Sequence, residues 1–97
     1  MTQYTPKPID TSNVVLDDDL VALTETLAES THDVWARQRF LDGWTHGPTR
    51  DDAKRQHPSL VPYAELPDDE REYDRRTAIE TLKAIVALGY RIVPPKG

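Results

Sequence analysis

Leucine and valine recur along the first half of the chain at helical rather than strand spacing. Leu16, Leu20, Leu23, Leu27, Thr31, Val34 and Leu41 follow one another mostly at three- and four-residue steps, on one face of a helix. Asp17, Asp18 and Asp19 supply a cap candidate and first-turn negative charge, which the macrodipole favours. Gly43 offers a left-handed stop. The spacing therefore predicts one helix over residues 17–41, of which Asp18 to Phe40 spans about 34 Å. A second stripe, Tyr73, Thr77, Ala78, Ile79, Leu82, Ile85 and Val86, follows the proline-and-acid start Leu66-Pro67-Asp68-Asp69-Glu70. Gly89 ends it, with Tyr90 packing back on the last turn. That predicts a helix over residues 67–89, about 33 Å long by the same rise.

Two amphipathic helices of nearly equal length pair most simply as antiparallel neighbours, so the fold class expected is mainly α. In that arrangement Val14-Val15-Leu16 and Arg91-Ile92-Val93 meet at one pole in opposite senses, as a small two-stranded ribbon ended by Pro94-Pro95. Residues 1–16 read as an extended lead-in, since Pro6 and Pro8 bias Thr5 and Lys7 away from helix. Residues 90–97 read as a tail. Residues 42–66 show no periodicity, and so long a connection in a small domain is often functional. Pro48, Pro58 and Pro62 stiffen it, while Trp44, Leu60, Val61 and Tyr63 can anchor it, so this loop is expected to be structured.

Composition narrows the picture. The 97 residues make one domain, and with 37% apolar and 30% charged residues its core must be thin. No apolar run approaches the ~20 residues of a membrane helix, and the first residues lack a signal peptide's apolar region. The absence of cysteine excludes disulfides and thiolate chemistry. A soluble cytoplasmic protein is expected. The net charge of −5 divides as −6 over residues 1–36, +2 over 37–57 and −1 over 58–97. An acidic chain suits neither nucleic acid nor an anionic membrane surface, but the positive island suits one small anion.

The island also holds the candidate ligand contacts. Trp44 opens the irregular loop beside Arg39 and Arg50, an indole for a purine ring with two guanidiniums for its phosphate. Tyr63 and Trp35 are further aromatic candidates. Each has a second reading: Trp44 and Tyr63 as anchors for the loop, and Trp35, one step from the leucine stripe, as core. His32, His46 and His57 lack the one-turn spacing of a zinc site. Asp33 with His57, or Asp10 with His32, could make a dyad with Ser12 or Ser59 as nucleophile, but no strained nucleophile turn accompanies either serine. No catalytic residue, metal or cofactor is expected, and His32 reads as a hydrogen-bonding tie from helix to loop.

Several ordered segments resemble the ryanodine receptor repeat, the RyR domain. They are Tyr4-Thr5-Pro6-Lys7-Pro8-Ile9-Asp10-Thr11-Ser12, the helix motif Leu27 to Arg39, Gly43-Trp44-Thr45-His46-Gly47-Pro48, and His57-Pro58-Ser59-Leu60-Val61-Pro62-Tyr63. Leu66-Pro67, Glu72-Tyr73-Asp74-Arg75 and Ala87-Leu88-Gly89-Tyr90 complete the likeness, which runs from Tyr4 to about Pro95. The resemblance implies a recognition module without catalysis, not a channel, and paired repeats of that family are implicated in binding adenine nucleotides or related purines. The leading expectation is thus a ligand-binding or sensory module for a purine nucleotide. The alternative is a structural module that contacts a protein partner. The paired occurrence of such repeats also suggests a twofold homodimer, in which two copies of Trp44 face one another across a shared purine, with Arg39 and Arg50 on its phosphate.

Overall fold

In the computed structural model, residues 3–95 are described, and two long helices carry the fold. A short helix α1 spans Asp18–Val21, α2 spans Thr24–Leu41 and α3 spans Asp68–Ala87. Between α2 and α3 lie strands β1 (Thr45–His46) and β2 (Gln56–His57) and a 3₁₀ turn over Tyr63–Glu65. The mainly α class and the structured connecting loop are as the sequence predicts. Several details differ.

The helix predicted over residues 17–41 is broken after Val21. The Leu23 amide reaches back only to the Leu20 carbonyl, and the Thr24 hydroxyl donates to the Val21 carbonyl at 2.6 Å. A threonine that bonds the carbonyl of the preceding turn competes with the helical ladder and bends it, so α2 starts afresh at Thr24. Its far end follows the prediction. Gly43 and Gly89 both adopt positive φ, 88° and 99°, beyond the ends of α2 and α3. Tyr90 closes the α3 end through its amide on the Ile85 carbonyl at 3.2 Å, but its ring stays exposed instead of packing back.

The predicted antiparallel ribbon does not form. The Val14 amide is taken by the Thr11 carbonyl in a turn, Val15 is 91% exposed, and residues 91–95 are irregular. Two prolines after Val93 leave that segment few donors to offer a ladder. The lead-in is held instead by the Thr11 hydroxyl on Glu80 of α3 at 2.7 Å and by the buried Leu16. The strand pairing lies within the connecting loop and is parallel, with Thr45 opposite Gln56 and His46 opposite His57. The Thr45 amide bonds the Arg55 carbonyl at 2.9 Å, and Gln56 also exchanges two backbone bonds with Asp51. Gln56 is thus shared between two neighbours, and Arg55, at φ 54°, turns the chain into it. The Arg55 guanidinium donates to the Asp42 carbonyl at 2.8 Å, tying the loop to the end of α2.

The core is as thin as the composition demands. Ala28, fully buried on α2, meets Tyr63 and Leu66, with Val61 beside them. His32, 4% exposed, places Nε2 at 2.7 Å from the Val61 carbonyl. A carbonyl only accepts, so Nε2 carries the proton. This is the tie from helix to loop read in the sequence. The Tyr63 hydroxyl donates to Glu25 at 3.2 Å, and Glu25 is ion-paired with Arg75, so the 3₁₀ turn, α2 and α3 share one polar network. Much of the predicted apolar stripe stays outside: Leu23, Val34, Leu41 and Tyr73 are exposed. The helices bury small or polar residues where they meet, and among the described residues no further layer covers their outer faces. A radius of gyration of 16.7 Å exceeds the roughly 12.5 Å of a compact chain this long.

The loop pairing tolerates no side chain at Gly47, where an added Cβ lies 2.6 Å from the Gln56 Cβ. Overpacking of this kind typically costs about 1–3 kcal/mol. Gly47→Ala should lower stability by that amount in urea unfolding, whereas Thr45→Ala, at an exposed position, should stay within about 0.5 kcal/mol of the parent.

Candidate functional site

Helical spacing places His32 and Trp35 on one face of α2, and Glu70, Tyr73 and Asp74 on one face of α3. Between them, with His57 and Ser59 closing one side, lies an open cleft of about 450 Å³. Its walls are rings. Trp35 meets His57 edge-on, centroids 5.0 Å apart, and His32 at 5.6 Å. Tyr73, 74% exposed, stands at the rim.

The sequence candidates separate on this frame. Trp35 lines the cleft, half-buried. Arg39 packs its guanidinium over both indoles, 5.7 Å from the Trp35 ring centre and 5.0 Å from that of Trp44. Trp44 is half-buried one ring further out, 6.4 Å from His57, so one of its faces is already covered by Arg39. Arg50 is exposed and paired with Asp52 at 2.9 Å. Tyr63 is buried behind His32 with its hydroxyl on Glu25. Trp35, Arg39 and Trp44 are therefore brought together, and Tyr63 serves as an anchor. Sequence reasoning passed over His32, His57, Glu70, Tyr73 and Asp74 as contacts. The three- and four-residue spacings His32–Trp35 and Glu70–Tyr73–Asp74 were the available signal.

The polar atoms are largely engaged. The Ser59 hydroxyl donates to Glu70 at 2.6 Å, and the Ser59 amide donates to His57 Nδ1 at 3.0 Å. The Thr31 hydroxyl donates to the Leu27 carbonyl at 2.9 Å. Ser59 and His57 thus meet through the backbone amide, not through hydroxyl and base, and the geometry is not that of a nucleophile with its base. Among the described residues Arg39 forms no ion pair, and no three His, Asp or Glu side chains converge on a metal position. No helix of the described residues is long and apolar enough to cross a membrane.

Burial holds His57 below the ordinary histidine value, and the Arg50 and Arg39 charges push it further down, opposed in part by Glu70 and Asp52. Burial raises the Asp74 carboxyl above the usual range, opposed by His32 and reinforced by Glu70. The unfolded chain takes up a proton at His57 more readily than the folded chain. The stability that His57 contributes is therefore present above about pH 6.5 and is lost as the pH falls through its lower folded value. Thermal unfolding followed from about pH 7.5 downward through that range should show the melting temperature falling. His57→Gln, which keeps an acceptor for the Ser59 amide, should flatten that slope.

One comparison with known proteins bears on this site. The family model for the RyR domain matches residues 4–94.

Proposed function

The chain belongs to the RyR domain family, a family of non-catalytic domains, and from that premise we propose that it is a recognition module for a purine nucleotide. The observation that carries this is the ring-walled cleft between α2 and α3, with Trp35 inside and beside it Arg39, which forms no ion pair among the described residues. Its volume falls within the range of small-ligand pockets. Aromatic walls suit a flat base by stacking, and a guanidinium without a carboxylate partner suits a phosphate. Reaction chemistry finds little support, because the Ser59 hydroxyl is held by Glu70.

Calorimetry and thermal shift with purine nucleoside monophosphates at low salt test this reading. Binding should be tighter than millimolar and stronger for the nucleotide than for its nucleoside. Tyr73→Ala should weaken it by about 1–3 kcal/mol, the range of base–aromatic stacking. Because Tyr73 is exposed, that variant should unfold within about 0.5 kcal/mol of the parent. Failure of every purine nucleotide to bind would remove the reading.

A second reading is favoured by Val34, Phe40 and Leu41, all exposed along the last turns of α2, and by an apolar groove lined by Leu27, Val34, Ala78 and Leu82. These suit contact with another protein, the simplest being a second copy in the twofold pairing that such repeats suggest. Light scattering at high micromolar concentration decides it: twice the 11.0 kDa of one chain is expected, and a monomer alone would refute the pairing.

A further inference from the structure

The cleft has two chemically different sides. On α3 its polar groups are the carboxylates of Glu70 and Asp74 and, at the rim, the hydroxyl of Tyr73. Glu70 already accepts the Ser59 hydroxyl, whereas Asp74, half-buried, forms no hydrogen bond among the described residues. On the α2 side, the donors that might otherwise face a ligand are used within the protein. The Thr31 hydroxyl serves the Leu27 carbonyl, and the His32 Nε2 proton serves the Val61 carbonyl. His32 is 96% buried by its 4% exposure and lines the cleft, and no bond to its Nδ1 is formed among the described residues. The remaining donors on the lining residues are the Tyr73 hydroxyl at the rim, the His57 Nε2–H, since Nδ1 accepts from Ser59, and the Trp35 indole N–H. His57 belongs to β2 and Trp35 to α2, whereas the Glu70 and Asp74 carboxylates belong to α3.

A base with donors facing Asp74 of α3 and acceptors facing His57 and Trp35 matches these groups. Resting on the purine reading above, we infer that the cleft selects guanine, with the Asp74 carboxylate accepting from the ring N1–H and the 2-amino group together. Guanine carries those two donors side by side, and its O6 and N7 acceptors lie next to them on the neighbouring edge. Hypoxanthine lacks the 2-amino group and leaves one carboxylate oxygen without a partner. Adenine turns an N1 lone pair toward the carboxylate. Burying an acceptor unpaired against a ligand is the more expensive failure, so discrimination arises from the mismatched base rather than from extra affinity for the matched one.

Isothermal calorimetry at neutral pH with guanosine, inosine, adenosine and xanthosine 5′-monophosphates reads this directly. Guanosine monophosphate should bind at least about tenfold tighter than the inosine and adenosine forms. Asp74→Asn keeps the shape and replaces one acceptor with an N–H donor. It should weaken guanosine monophosphate by about tenfold and strengthen xanthosine monophosphate, whose C2 carbonyl then meets the new donor. A gain for xanthosine cannot come from a damaged fold, so the exchange stays informative even if the variant is less stable. If the guanosine, inosine and adenosine forms bind equally, or if Asp74→Asn changes none of them, the guanine assignment falls while the purine reading stands. If no purine nucleotide binds the parent protein, both fall together.

Discussion

The fold depends on one buried contact, the His32 imidazole on the Val61 carbonyl. Two short helical faces with little apolar area cannot enclose a core by themselves, and the segment from Leu60 to Leu66 supplies the third side. Laying a loop across a helix buries backbone polar groups, each of which needs a partner. His32 is that partner from within α2, and Ala28, one turn earlier and without a side chain beyond Cβ, lets Tyr63 and Leu66 come close. Removing the imidazole would leave the partly buried Val61 carbonyl without its partner, at a cost of about 1–3 kcal/mol. With the segment fixed there, β2 and Ser59 are carried to the mouth between the helices. The cleft is a consequence of how the loop is pinned.

The features legible in the sequence were those governed by local chemistry. Gly43 and Gly89 mark the helix stops, the acids after Pro67 mark a start, and the prolines of residues 42–66 announce a stiff connection. The role of His32 as a tie to the loop was also readable, because a lone histidine on a helix near a proline-rich segment has few other uses. What was not legible depended on competition between partners. Thr24 diverts a carbonyl and breaks α2 from α1, a choice that leucine periodicity does not record. The two-residue strands carry no alternation to detect, and their parallel register is set by Arg55 and His57 accepting from Thr45 and Gly47 while Gln56 between them bonds Asp51. Val14 and Val15 have strand propensity but no available edge to join, and propensity on so few residues yields to context.

Burial was misjudged for a related reason. A helical stripe predicts which residues share a face, not whether anything covers that face. Val34, Leu41 and Tyr73 lie on the expected stripes and remain exposed because the loop covers other parts of the helices. For Tyr73 this exposure is what makes it available at the cleft rim. The same thinness that leaves apolar side chains outside thus leaves an aromatic ring free to meet a ligand.

The electrostatics give the cleft a direction. Carboxylates of Glu70 and Asp74 lie on α3, while Arg39 and, further out, Arg50 lie on the side of α2 and the loop, near enough to depress His57. A ligand that carries an anion at one end and N–H donors at the other has one favourable orientation across such a field, and the reversed pose sets phosphate against carboxylate. Charge on the two sides thereby does the orienting that a tight pocket would do by shape, which suits an open cleft on a small domain. Its polar groups are held by hydrogen bonds within the protein rather than poised against one another: Ser59 on Glu70, His57 on the Ser59 amide, His32 on Val61. Groups fixed in this way keep their positions without reorganising when a ligand arrives, and that rigidity favours recognition over reaction.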